Sequence, residues 1–238
     1  MNESIVRSLS GIVYIALLLT ATLYSDISFI ALFAIFLLIA VTEFVRLVNL
    51  PKILPLIIAA TMFAIFGLFN RNNTGNNLVL VFASLFVGIM LLYDLFRTGM
   101  PRHTDQTGKY VLLIGYVILP FLLLIKLPFL GGSYNPYIIV GIYILMWVND
   151  TFAYITGKTF GRRKLFERIS PKKTIEGFAG GLVFTMVAAY IISMYYDFIP
   201  PLQWITTGAI LSVFGTLGDL VESKFKRNAG VKDSGNIM

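Results

Sequence analysis

Most of the residues in this chain that could do chemistry fall in three short stretches. In MWVNDTFAYITGKTFGRRKLF, residues Trp147, Asp150, Thr151, Tyr154 and Lys158 recur at i, i+3, i+4, i+7 and i+11, which is one face of a helix. In the closing stretch GDLVESKFKRNAGVKDSGNIM, residues Asp219, Glu222, Ser223 and Lys226 stand at i, i+3, i+4 and i+7. Between them lies GKTFGRRKLFERISPKKTIEG, where Ser170, Lys172, Lys173 and Thr174 set hydroxyls, backbone N–H groups and two ammonium groups close together. Cations and N–H donors suit the oxygens of a polyphosphate, and carboxylates suit a Mg²⁺ bridging them. The GKT at 157–159 is not a phosphate-binding P-loop, because the first glycine of that pattern would fall on Phe152. Cysteine is absent and His103 is the single histidine, in a loop, so thiolate and histidine metal sites are excluded.

The elements that must carry these groups are apolar. The chain of 238 residues is 57% hydrophobic and 13% charged, with mean hydropathy +0.82. A water-soluble domain of that length needs more surface charge. Apolar runs of about 20 residues recur throughout, as in membrane-spanning helices. Eight spans are expected, at 5–24, 28–47, 53–69, 78–96, 110–129, 137–156, 178–197 and 203–221. The fold class is therefore all-α, a polytopic integral membrane protein. We read one transmembrane domain over 1–238, with N-terminal helices over 1–136 and catalytic helices over 137–238, the latter interrupted by a polar loop at 157–177.

Lysine and arginine give the orientation. With the N-terminus inside, the inner segments carry Arg7; Arg46 and Lys52; Arg97, Arg102 and Lys109; seven cations from Lys158 to Lys173; and four from Lys224 to Lys232. Only Arg71 and Lys126 fall outside, a 17-to-2 division. Acidic residues contribute little to orientation, so Asp150, Glu176, Asp219, Glu222 and Asp233 need another reason. A carboxylate costs roughly 2.5–3.5 kcal/mol at the bilayer centre and less towards the interface. One Asp at a helix end commonly just reaches water. Two acidic faces on the same side, joined to a basic loop, point to a cytosol-facing site for a soluble polyphosphate and a substrate already in the lipid.

WVNDTFAYITGKTFGRRKL, ISPKKTIEG and GDLVESKFKRNAGVKDSGNIM resemble the phosphatidate cytidylyltransferases, or CDP-diacylglycerol synthases. The spacing SxxKRxxxxKDS, from Ser223 through Lys226 and Arg227 to Lys232, Asp233 and Ser234, is long and specific. The resemblance covers Trp147 to Met238; the earlier spans match only in hydrophobic character. It implies the reaction of CTP with phosphatidate to give CDP-diacylglycerol and diphosphate, in phospholipid biosynthesis. It also implies Mg²⁺ as cofactor, with a second metal ion as an option, and a bacterial-type inner membrane with the site facing the cytoplasm. Expected partners are CTP, phosphatidic acid, membrane lipids and, as a candidate, a second copy of the chain; nucleic acid is not expected. The family pattern continues beyond KDSGxxx with HGG, an Asp-Arg-x-Asp element and a last membrane helix. A product ending at Met238 is therefore expected to be inactive or badly impaired.

For roles, Asp219 is the first metal candidate. Glu222 either joins it or orients Lys226 at i+4. Asp150 either binds a second cation or the nucleotide, or bonds to Asn149 or Thr151. Lys172 and Lys173, with Ser170 and Thr174, are expected on the triphosphate. Lys226 and Arg227 are expected on the phosphatidate phosphate, with Ser223 assisting, and Lys232 and Asp233 pair with substrate or with each other. Gly177, Gly180 and Gly181 are expected to permit close helix packing. Trp147 and Tyr154 are expected at the interface. Two other readings compete: a CTP-dependent polyprenol or lipid-alcohol kinase, which would release CDP, and a transporter, which would place carboxylates nearer mid-membrane.

Overall fold

A computed structural model describes residues 3–69, 74–97 and 105–231. Of the residues singled out above, Arg71, Arg102, His103, Lys232, Asp233 and Ser234 lie outside the described residues. Each of the eight expected spans is found as an apolar helical stretch. Six are long and apolar enough to cross a membrane by length and composition: Asp26–Val48, Thr74–Phe96, Gln106–Phe129, Pro136–Phe160, Ile175–Tyr195 and Pro201–Asn228. Leu9–Tyr24 and Ile53–Phe69 are shorter apolar helices. The chain forms two compact units, Met1–Pro136 together with Asn228–Met238, and Tyr137–Arg227.

The first unit contains α1 (Glu3–Tyr24), α2 (Asp26–Val48), α3 (Ile53–Met62), α4 (Thr74–Phe96), α5 (Gln106–Leu112) and α6 (Leu119–Leu124). Helix α3 runs on as π-helix over Phe63–Phe69, and a second π segment, Leu113–Ile118, joins α5 to α6. Ser25 caps α2 reciprocally: its hydroxyl accepts from the Ser28 N–H at 3.0 Å, and the Ser28 hydroxyl accepts from the Ser25 N–H at 3.1 Å. Asn49 ends α2 in the left-handed region at φ 61°, a conformation asparagine tolerates better than most residues. Lys126, read from the sequence as an outer-loop cation, stands in the turn after α6 but is only 8% exposed, and its Nζ donates at 2.7 Å to the carbonyl of Phe66 in the first π segment. A charged side chain tucked among apolar helices needs such a partner.

The second unit holds α7 (Pro136–Phe160), a small antiparallel hairpin of β1 (Lys164–Phe166) and β2 (Ser170–Thr174), α8 (Ile175–Tyr195) and α9 (Pro201–Asn228). Proline opens α7 and α9, where its missing N–H is not needed. The hairpin stands where the sequence suggested only an irregular polar loop. Its pairing, Lys164 with Thr174 and Phe166 with Ser170, shows no alternating apolar pattern, so strand periodicity could not reveal it.

Helices α7 and α8 meet at backbone distance. A Cβ on Gly177 would lie 2.7 Å from the Ala153 carbonyl oxygen and 3.1 Å from the Gly157 Cα. A Cβ on Gly181 would lie 2.9 Å from Asn149 Oδ1 and 3.1 Å from the Ala153 Cβ. The packing role expected for these glycines is the one observed. Trp204, 1% exposed, brings α9 in against Gly141 of α7 and packs with Leu145, Ala189 and Ile192. Gly181→Val should force α8 away from α7 and destabilise the protein by about 1–3 kcal/mol, the usual range for overpacking. A thermal unfolding midpoint in detergent, lowered relative to wild type, is the expected result.

Candidate functional site

Helices α7, α8 and α9 and the hairpin enclose a pocket of about 320 Å³ in the second unit. Helix α7 contributes Asn149, Asp150, Ala153 and Tyr154; the hairpin contributes Leu165, Lys172, Lys173 and Thr174. Helix α8 adds Gly177 and Phe178, and α9 adds Thr216 and Asp219. The structure thus gathers Asp150, Lys172, Lys173, Thr174 and Asp219 from the residues expected to act. Ser170, Glu222, Ser223, Lys226 and Arg227 are not among its lining.

The two acidic faces are turned from the orientation that polarity alone suggests. On α7 the inward row is Asn149, Ala153 and Gly157, at i, i+4 and i+8, because these small or slender residues admit α8. Trp147, Thr151 and Lys158 are not in the pocket lining; Lys158 lies over the Tyr154 ring, 5.7 Å from its centroid. On α9 the inward row is Ser212, Thr216 and Asp219, at i, i+4 and i+7. Glu222 pairs instead with Lys226 at 2.7 Å, the i+4 arrangement. Asn149, Ser212 and Thr216 were not singled out from the sequence as site residues, although the spacing of Ser212 and Thr216 from Asp219 was a readable signal.

Lys173 and Asp219 meet across the pocket, Nζ to Oδ2 at 2.8 Å. Their side chains are 29% and 60% exposed, so water screens the pair and it contributes about 1 kcal/mol or less. Either partner can therefore turn to a stronger ligand at small cost. Asp150 accepts a longer bond from Asn149 Nδ2, at 3.3 Å, one of the alternatives left open for it by the sequence. Two carboxylates and two ammonium groups thus share one small cavity.

The lysines are held there by their strand, and the strand is held at both ends. Thr174 caps α8, its hydroxyl accepting from the Gly177 N–H at 3.1 Å. Glu176, in the first turn of α8, accepts from the backbone N–H of Arg162 at 3.0 Å and of Arg163 at 3.2 Å. The Ile175 N–H donates to the Arg163 carbonyl at 2.9 Å. Glu176 is thus a latch between the chain leaving α7 and the start of α8.

No three His, Asp or Glu side chains form a self-sufficient metal cage among the described residues. Mg²⁺ rarely uses one; it is usually held by one or two carboxylates together with substrate phosphates. Asp150 and Asp219, beside two lysines able to hold phosphate oxygens, fit that shared mode.

Against this geometry stand the comparisons with known proteins. The chain matches the Cytidylyltransferase family over residues 5–238. The chain belongs to the cytidylyltransferase family. A phosphatidate cytidylyltransferase of Bacillus subtilis (strain 168) is 36% identical over 200 residues, covering 81% of this chain and 71% of that protein. One from Staphylococcus saprophyticus is 39% identical over 153 residues, covering 63% of this chain and 56% of its own length. One from Staphylococcus aureus (strain COL) is 50% identical over 98 residues, covering 40% and 37%. The chain therefore spans only about half, or less, of the two staphylococcal relatives. As a member of this family it is a nucleotidyltransferase, and its repeated apolar helices make it an integral membrane protein.

If Glu176 latches the hairpin, Glu176→Ala should speed amide hydrogen exchange at Arg162 and Arg163 while α9 keeps its protection. Hydrogen-exchange mass spectrometry on peptides spanning 157–177 reads this directly; unchanged exchange there would remove the latch.

Proposed function

We propose that the protein transfers a cytidylyl group from CTP to phosphatidate, giving CDP-diacylglycerol and diphosphate for phospholipid synthesis. The observation that carries this reading is the meeting of Lys173, on the hairpin, with Asp219, on α9, in a pocket that also holds Asp150 and Lys172. It unites phosphate-binding cations with hard oxygen donors in a member of the cytidylyltransferase family.

In the reaction, a phosphate oxygen of phosphatidate bonds to the α-phosphorus of CTP. The bond from that phosphorus to the bridging oxygen breaks, and diphosphate leaves. The attacking phosphate is already anionic, so little is asked of a general base, and catalysis is alignment and charge neutralisation. Lys172 and Lys173 hold the triphosphate oxygens. Lys173 leaves Asp219 for them readily, because a screened ion pair contributes so little. Thr174 and Glu176 keep the lysine-bearing strand against α8 while this happens. Asp219 and Asp150 are the residues that would hold Mg²⁺, which when bound neutralises charge on the transferring and leaving phosphate oxygens. Lys226 and Arg227, in the last turn of α9, receive the phosphatidate headgroup. The site faces the cytoplasm from the inner membrane, consistent with the 17-to-2 cation division.

Five measurements test this. The complete gene product, purified in detergent, should convert CTP and phosphatidate to CDP-diacylglycerol and diphosphate in a Mg²⁺-dependent manner; release of CDP would indicate a lipid kinase instead. Asp219→Asn should abolish turnover, and Lys173→Ala should raise the KM for CTP. The exchanged pair Lys173→Asp with Asp219→Lys should keep wild-type thermal stability yet remain inactive, since the ion pair survives and the ligand positions do not. Because the chain has no cysteine, a single Lys164→Cys probe should react with a membrane-impermeant maleimide in inverted vesicles and resist it in intact cells.

A further inference from the structure

A buried polar chain links α9 to Asp150 beneath the pocket. Ser212, fully buried on α9, donates its hydroxyl proton to Asn149 Oδ1 on α7 at 2.6 Å. Asn149 is 7% exposed, and its Nδ2 donates to Asp150 Oδ1 at 3.3 Å. Gly181 of α8 leaves the room: a Cβ there would come within 2.9 Å of Asn149 Oδ1. Three helices thus converge on one amide.

The amide can point only one way. Turned over, Asn149 would set its carbonyl oxygen against a carboxylate oxygen, two acceptors with no proton between them. In the observed sense each atom has a partner of the right kind, and the Ser212 hydroxyl fixes the end far from the pocket. The bond to Asp150 engages only Oδ1, so Oδ2 remains for a ligand. Ser212 lies seven residues before Asp219 on the same face of α9, so the chain also ties the two carboxylate-bearing helices together.

We propose that Ser212 and Asn149 are positioning residues for the cytidylyl transfer: they fix the rotamer of the Asp150 carboxylate and its spacing from Asp219. This rests on the function proposed above. Ser212 lies outside the pocket lining, and Asn149 edges it with its amide turned to Ser212 and Asp150. Both act through Asp150, as outer-shell partners orient the ligands of a metal or phosphate.

The test compares Ser212→Ala with Ser212→Cys in the complete gene product. Cysteine keeps the shape of serine but is a poor donor. Positioning predicts that both variants lose kcat by roughly 10-fold, the lower end for outer-shell partners, with KM for phosphatidate unchanged. A packing role predicts that cysteine restores the wild-type rate, which would overturn the proposal. Infrared difference spectra give a second readout that needs no turnover. Carboxylate bands assigned by Asp150→Asn should shift in both Ser212 variants, and unshifted bands would also overturn the proposal. A wild-type protein that fails to make CDP-diacylglycerol would sink the proposed function, while the infrared bands would still decide on the positioning chain.

Discussion

The approach of α7 to α8 constrains everything built above it. Gly177 and Gly181 have no room for a side chain toward α7, and Ala153, Gly157 and the slender Asn149 fill the facing row. Apolar burial contributes little preference for one helix face over another in lipid, where the surroundings are as apolar as the helices. Shape must decide instead. A row of small residues is the shape that lets two backbones touch, and its position on α7 determines which flanking residues turn into the cavity. Asp150 and Tyr154 flank that row and reach the pocket; Lys158 does not.

The site combines stiff supports with a loose central contact. The amide of Asn149 is buried and bonded on both sides, and Thr174 and Glu176 tie the hairpin to the start of α8. The Lys173–Asp219 pair sits in water and is worth little. That contrast is what a phosphate-handling site needs, since charged groups must trade partners as substrate arrives without the scaffold moving. A deeply buried ion pair at the same place would be costly to separate and would compete with the ligand.

The spans were legible because the bilayer imposes one rule, about 20 apolar residues per crossing, and the sequence obeys it. The residue types of the site were legible for a similar reason: carboxylates at apolar helix ends and a lysine pair beside a helix start stand out against their surroundings. What was not legible is rotation. Asp219 could be read with Glu222 and Lys226 along one polar face, or with Thr216 and Ser212 along another. Polarity favours the first and packing selects the second, because Ser212 finds Asn149 on the neighbouring helix. The hairpin was hidden since its strands carry mostly charged and small residues, and the burial of Lys126 was hidden because its partner, the Phe66 carbonyl, is sixty positions away.

The Glu176 latch has a consequence for how this segment can drift over evolutionary time. Its carboxylate grips the main chain of Arg162 and Arg163 and leaves their guanidinium groups out of the bond. Any amino acid that brings an N–H can serve at those two positions, so the bend tolerates nearly free exchange of side chains there, with proline alone forbidden. The geometry that presents the lysines thereby rests first on main-chain donors, with the Arg163 charge only adding to their hold on Glu176.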